Sequence, residues 1–199
     1  MSFRKEKKFR VSIYEMLEIK KKLISEGMIS MYPSRIIKSY YFDNDRFQLF
    51  NESEEGVLPR RKIRVRWYND ILDLSKETKI SSYEGRFKQV KKIGTFTKES
   101  DILKLSYLDQ EYGLLRPSIS VSYERFYYKI KSLRITFDRN IIYQPLTSHI
   151  MSVFEDPECV LEVKVPFHIN DKSIEEIIPF TTSRFSKYSR GIIYLGNTV

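Results

Sequence analysis

Residues 60–68, Arg-Arg-Lys-Ile-Arg-Val-Arg-Trp-Tyr, constrain the fold more than any other stretch of this 199-residue chain. Successive side chains of a β-strand point to opposite faces. Sorted that way, Arg60, Lys62, Arg64 and Arg66 line one face, and Arg61, Ile63, Val65 and Trp67 line the other. Four adjacent cations repel one another and cannot fill a dry core. The apolar residues between them must pack against something. The segment therefore reads as a strand with one packed face and one wet, cationic face.

The same sorting recurs along the chain. Arg4, Glu6 and Lys8 share a face, as do Glu77 and Lys79, and Arg86 and Lys88 flank Phe87. Tyr123 and Arg125 alternate with Glu124 and Phe126. Arg134, Thr136 and Asp138 alternate with Ile135 and Phe137, and Glu162 and Lys164 with Leu161, Val163 and Val165. A single strand of this kind is an ordinary amphipathic strand. Repeated so often, with Arg prominent, the pattern points to a polyanion. Arg grips phosphate through a rigid fork, and Lys acts as a mobile point charge. A Glu among them can hold a divalent cation through its oxygens. A β-barrel with a charged lumen fits these faces, and a nucleic-acid-binding sheet is the alternative.

Strands are predicted over 3–11, 36–42, 60–68, 72–80, 83–92, 121–129, 133–140 and 160–165. The segments 121–129 and 133–140 form a hairpin around Lys131–Ser132. Helices are predicted over 12–27, 98–112 and 173–178, with a turn or short helix over 47–52, and 185–194 closes the chain. Ser12 caps the first helix, Glu15 completes a capping box and Gly27 ends it. Ile13, Met16, Leu17, Leu23 and Ile24 mark its apolar face, and Lys20-Lys21-Lys22 reads as its solvated side. Many strands joined by short turns imply an antiparallel sheet that closes or folds over. An aromatic share of 14 % suits strands. The length suits a single domain spanning residues 1–199.

A net charge of +9 attracts nucleic acid, an anionic membrane or another polyanion. The one cysteine, Cys159, excludes an internal disulfide and reads as core packing. His149 and His168 lack zinc spacing. The start has no apolar h-region, and no apolar run approaches the ~20 residues of a membrane span. A soluble, cytoplasmic protein is expected.

Eight short segments together resemble the VTC domain, the polyphosphate-polymerase branch of the CYTH-like triphosphate tunnel metalloenzymes. They are 4–8 (Arg-Lys-Glu-Lys-Lys), 39–43 (Ser-Tyr-Tyr-Phe-Asp), 60–68, 77–79 (Glu-Thr-Lys), 123–125 (Tyr-Glu-Arg), 134–138 (Arg-Ile-Thr-Phe-Asp), 161–164 (Leu-Glu-Val-Lys) and 185–188 (Phe-Ser-Lys-Tyr). The resemblance implies a mainly β fold, a closed eight-stranded antiparallel barrel with a few flanking helices. It implies that Lys8, Arg64, Arg66, Lys79, Arg125 and Lys187 act on phosphate. Arg4, Arg60, Lys62, Arg86, Lys88, Tyr123, Arg134, Lys164 and Ser186 are the further substrate-binding candidates. Glu162 would hold Mn²⁺ or Mg²⁺, with Glu6 and Glu77 as additional metal candidates.

The activity the resemblance implies is transfer of the ATP γ-phosphate onto a polyphosphate chain. Its partners are ATP, triphosphate or polyphosphate, with no nucleic acid. Arg4 stands where triphosphatase and cyclase relatives carry the first Glu of Glu-x-Glu-x-Lys, which argues against a two-metal triphosphatase. The SPX domain and membrane segments of eukaryotic VTC subunits are not in the sequence, so their activation and product export do not carry over, and a separate membrane partner is among the expectations. A non-catalytic polyanion-binding module and a triphosphatase of the same fold are the rival readings. Asp43 and Asp138 read as structural.

Overall fold

A computed structural model describes residues 4–146, 153–166 and 171–196. In chain order its elements are β1 (Arg4–Val11), α1 (Ile13–Ser25), β2 (Ile29–Asp43), α2 (Gln48–Glu55), β3 (Arg60–Tyr68), β4 (Ile71–Ser82), β5 (Gly85–Thr95), α3 (Glu99–Ile102), β6 (Tyr107–Asp109), β7 (Gly113–Ile130), β8 (Leu133–Pro145), β9 (Phe154–Glu155), β10 (Cys159–Pro166), α4 (Asp171–Ile177) and α5 (Lys187–Gly196). The first residue of the strand predicted over 3–11, and His149 and His168, lie outside the described residues.

Each predicted strand is present, several of them longer than expected. The helix expected over 98–112 is instead one turn, α3, followed by the short strand β6. Tyr107, Leu108 and Asp109 pair with Leu115, Leu114 and Gly113 at the start of β7. Gly113 has φ 72°, which suits the reversal between them. Long-range pairing here overrides the local helical pattern. Residues 185–194 fall largely on α5.

The described residues form two compact units. The first comprises Met1–Arg35, Tyr123–Ile141 and Asp156–Phe185. Its strands are ordered β1-β10-β8-β7, with β1 and β8 antiparallel to β10. Phe9, Val11, Leu161, Val163, Val165, Ile135 and Phe137 all point to one side, where Met16, Ile19 and Leu23 of α1 and Ile174 of α4 complete a core. Ser12 caps α1, and Glu15 returns the capping box. The buried stripe of α1 is narrower than predicted. Ile13, Leu17 and Ile24 are 36 %, 49 % and 51 % exposed, while Ile19 is buried in their stead.

The second unit comprises Ile36–Ser122, Ile142–Glu155 and Ser186–Val199, with the strand order β7-β2-β3-β4-β5. Ile63, Val65 and Trp67 pack with Tyr40, Phe42, Leu49 of α2, Leu74, Ile102, Tyr112 and Leu115. Gly191 lets α5 approach closely: a Cβ there would meet Ile119 Cδ1 at 2.5 Å and the Tyr143 ring at 2.6 Å.

The fold is mainly β and antiparallel with few helices, as expected, but the closed eight-stranded ring is not what the pairing describes. Among the described residues β1 pairs with β10 alone and β5 with β4 alone, so the strand path is open-ended. β5 carries Arg86, Lys88, Lys91 and Lys92 and is exposed along most of its length. Such charge on a terminal strand disfavours a further pairing. Among the described residues no helix is long and apolar enough to cross a membrane.

Candidate functional site

The sequence-predicted site residues fall on two charged sheet faces, one in each unit. In the second unit the register sets the polar face of β3 directly against its neighbours. Arg60 opposes Ser81, Lys62 opposes Lys79, Arg64 opposes Glu77 and Arg66 opposes Ser75. On β2, Tyr41 opposes Arg64 and Ser39 opposes Arg66. On β5, Arg86 opposes Ser81 and Lys88 opposes Lys79. Lys62, Lys79 and Lys88 thus form a row of three lysines across three strands.

Glu77 is the hub of this face. Its Oε2 accepts from Arg64 Nε at 2.8 Å and Nη2 at 2.5 Å, and its Oε1 from Lys88 Nζ at 2.8 Å and Arg66 Nη1 at 3.3 Å. Burial opposes the Glu77 charge, but Arg64, Arg66 and Lys88 outweigh it and bring its pKa down to about 2. Arg64, Arg66 and Glu77 are all buried, at 9 %, 7 % and 4 % exposure. The expectation of a uniformly wet face is therefore corrected: an internal counter-ion lets two of the four arginine and lysine heads sink below the surface. Both Glu77 oxygens are committed to cations, which suits a counter-ion better than a metal ligand.

The start of helix α5 and Ser186 just before it reach this face. Ser186 Oγ accepts from Lys62 Nζ at 2.8 Å and from Ser189 N at 3.3 Å. Lys187 is half-buried beside it. Tyr188 donates to Asp43 and stacks on Tyr41, centroids 5.0 Å apart, and Tyr41 Oη accepts from Arg64 Nη1 at 2.9 Å. Asp43 also accepts from the Leu49 and Phe50 amides at the start of α2. Asp43 and Tyr41 were legible only as members of the segment 39–43; their bonding needed the fold. Arg60 turns away, donating to the Gly56 and Val57 carbonyls. Lys79, Arg86 and Lys88 are exposed.

In the first unit Glu6 opposes Lys164, and Lys8 opposes Glu162. On the other side of β10, Arg134 opposes Lys164 and Thr136 opposes Glu162. Lys164 Nζ lies 2.7 Å from Glu162 and 3.9 Å from Glu6, and Lys8 Nζ lies 3.5 Å from Glu6. Lys8 also donates to the Phe185 carbonyl at 3.1 Å. Burial raises the cost of ionising Glu162, yet Arg125, Lys164 and Lys8 hold its carboxyl far below the usual range. Arg125 lies over the Tyr123 ring at 5.3 Å and is clamped by Asp138. Arg134 is exposed. The side chain of Arg4 lies outside the described residues.

No group of three or more His, Cys, Asp or Glu is placed to hold a metal among the described residues. The first unit offers two hard carboxylates, Glu162 and Glu6, that share Lys164. This donor set fits Mg²⁺ or Mn²⁺ held by one or two carboxylates with substrate phosphates as the remaining ligands. It does not fit an all-protein cage.

A family model described as VTC domain matches residues 3–195. Among curated proteins nothing matches the chain. Solved structures share its fold. A Hippeastrum protein whose description gives a dominant triphosphatase activity aligns with a TM-score of 0.58 at 11 % identity, covering 96 % of each chain. A conserved hypothetical protein of Pyrococcus furiosus gives 0.56 at 13 % identity, covering 94 % of this chain and 99 % of its own. A protein of Pyrococcus horikoshii gives 0.52 at 14 % identity, with 97 % and 99 % covered. At these identities the likeness is one of fold.

Proposed function

The chain belongs to the VTC domain family, and on that premise we propose that it is a triphosphate-binding enzyme that moves the ATP γ-phosphate onto a polyphosphate chain. The observation that carries this reading is the register-aligned row Lys62, Lys79 and Lys88 beside Arg64 and Arg66. Like charges directly opposed across strands destabilise a sheet. A bound polyanion turns that cost into affinity.

Phosphoryl transfer needs little covalent work from a protein; positioning and charge neutralisation dominate. Arg64 and Arg66, oriented by Glu77 and Tyr41, hold phosphate oxygens. Lys62, Lys79, Lys88 and Lys187 neutralise charge on the transferring group. Taken by itself, the first unit offers Lys8, Lys164 and Arg125 as phosphate contacts of its own charged face, with Arg125 fixed by Asp138. Glu162 and Glu6 would hold Mn²⁺ or Mg²⁺, which when bound offsets the charge of the phosphate oxygens. The acceptor is the terminal phosphate of the growing chain, so no side-chain nucleophile is required.

A second reading, a non-catalytic polyphosphate-binding module, draws on the ion pair that already occupies Glu162. Incubation with ATP and Mn²⁺ separates the cases. Long polyphosphate supports the polymerase, orthophosphate alone a triphosphatase, and no product with retained tripolyphosphate binding the module.

A further inference from the structure

On β7 of the first unit, Tyr123, Arg125 and Tyr127 alternate with Phe126 and Tyr128. Phe126 and Tyr128 pack into or against the apolar core. Tyr127 therefore shares the charged face with Arg125. At about 3.4 Å per residue it stands roughly 7 Å along the strand from Arg125. Its ring meets that of Tyr32 edge-to-face, centroids 5.9 Å apart at 82°. Tyr32, on the first half of β2, is 48 % exposed. The Arg35 guanidinium lies 6.0 Å from the Tyr32 ring centroid and 5.9 Å from that of Tyr127.

We propose that Tyr32, Tyr127 and Arg35 form a stacking platform for the base of a nucleoside triphosphate. This deepens the triphosphate-binding reading and rests on it. Phosphate recognition by lysines and arginines cannot tell ATP from inorganic triphosphate, since both present the same oxygens. An aromatic surface on the charged face of Arg125, with the Tyr32 ring exposed and the Tyr127 ring partly so, adds contact only for the ligand that carries a base. Arg35 strengthens such a surface, because a guanidinium attracts and stacks on π-faces. Stacking of this kind is tolerant of base identity, because every base has a π-face. The platform therefore favours nucleotides over inorganic polyphosphate without selecting adenine.

The test compares ATP, GTP and tripolyphosphate binding to the wild-type chain and to Tyr32→Ala, Tyr127→Ala and Tyr127→Phe, with melting temperature as the fold check. Tyr32 is exposed, so its truncation leaves the core intact. Loss of a stacking ring weakens ATP and GTP binding by roughly 5- to 140-fold. Tripolyphosphate binding stays within about twofold, and Tyr127→Phe keeps nucleotide affinity. If the alanine variants bind ATP as the wild type does, or lose ATP and tripolyphosphate equally, the platform is overturned while phosphate binding stands. If the wild-type chain binds neither ligand, the triphosphate reading fails and the platform with it.

Discussion

Arg125 sets Nε and Nη2 on the two carboxylate oxygens of Asp138, at 2.6 and 2.7 Å, and Asp138 has no exposed surface. Burial disfavours the Arg125 charge, yet Asp138 holds its pKa well above the ordinary arginine value. Asp138→Asn removes the counter-charge from a guanidinium that cannot easily return to water. Losing one partner of a buried pair costs about 3–5 kcal/mol. Urea denaturation should show that loss, and the double variant Asp138→Leu with Arg125→Met, which removes both charges, should recover most of it. A change below about 1 kcal/mol in Asp138→Asn, set against that expected cost, would mean that the pair does not anchor Arg125.

Strand parity separates Arg66 from Trp67. Trp67 has no exposed surface and meets Tyr40 edge-to-face at 5.0 Å. Trp67→Ala should cost about 3–5 kcal/mol as a core truncation. Arg66→Ala removes one of the cations on Glu77 and a charge-assisted phosphate contact worth about 1.5–3 kcal/mol. Tripolyphosphate binding should weaken roughly 10- to 150-fold, with the smaller stability loss of the two. Chemical denaturation and titration of both variants decide the matter, and an Arg66→Ala chain that unfolds beside a silent Trp67→Ala would invert the faces.

Period-two alternation is a local signal, and it located β3, β4, β10 and the β7–β8 hairpin from sequence. It also sorted Arg64 and Arg66 from Ile63, Val65 and Trp67. What it cannot carry is register. The alignment of Lys62, Lys79 and Lys88 follows from which residues face one another across strands, and the convergence on Glu77 follows from that alignment. The first half of β2 was missed because residues 29–35 lack an apolar alternation and include Pro33. The helix expected over 98–112 failed because β6 gains its partner from β7, a pairing invisible to a helical period. Tyr32 and Tyr127 lie far apart in sequence, and no local pattern joins them.

Acid should loosen the second unit through Glu77. A carboxyl lowered from 4.5 to about 2 contributes stability that is fully present above about pH 4.5 and is lost as pH falls through about 2. For a group this buried the effect is on the order of 3 kcal/mol. Asp43 runs the other way: burial raises its pKa despite the Tyr188 hydrogen bond, so its protonation favours the folded state as pH falls. Urea midpoints followed from about pH 5 down to about 2.5 should fall steeply for the wild type. Glu77→Gln should start lower at the upper end of that range and fall less. Parallel curves would show that Glu77 is not the linked group.

The lysine row makes the most direct prediction about polyanion binding. Lys62 faces Lys79 across β3 and β4, and Lys79 faces Lys88 across β4 and β5. Lys79 sits at the centre of the row, so its charge is the one most strongly opposed by the others. Lys79→Gln should leave the ligand-free fold as stable as the wild type or slightly more stable at low salt, because a directly opposed like-charge contact is relieved. The difference should shrink at high salt, where the Debye length falls to about 3 Å at about 1 M. With tripolyphosphate the order reverses. Ligand at about 100-fold over Kd stabilises the wild type by roughly 2.7 kcal/mol, and Lys79→Gln should gain less at the same concentration. Thermal unfolding with tripolyphosphate, with sulfate at matched ionic strength and with neither reads all of these. Sulfate stabilising the wild type as much as tripolyphosphate does would show that the row senses ionic strength and not a phosphate chain.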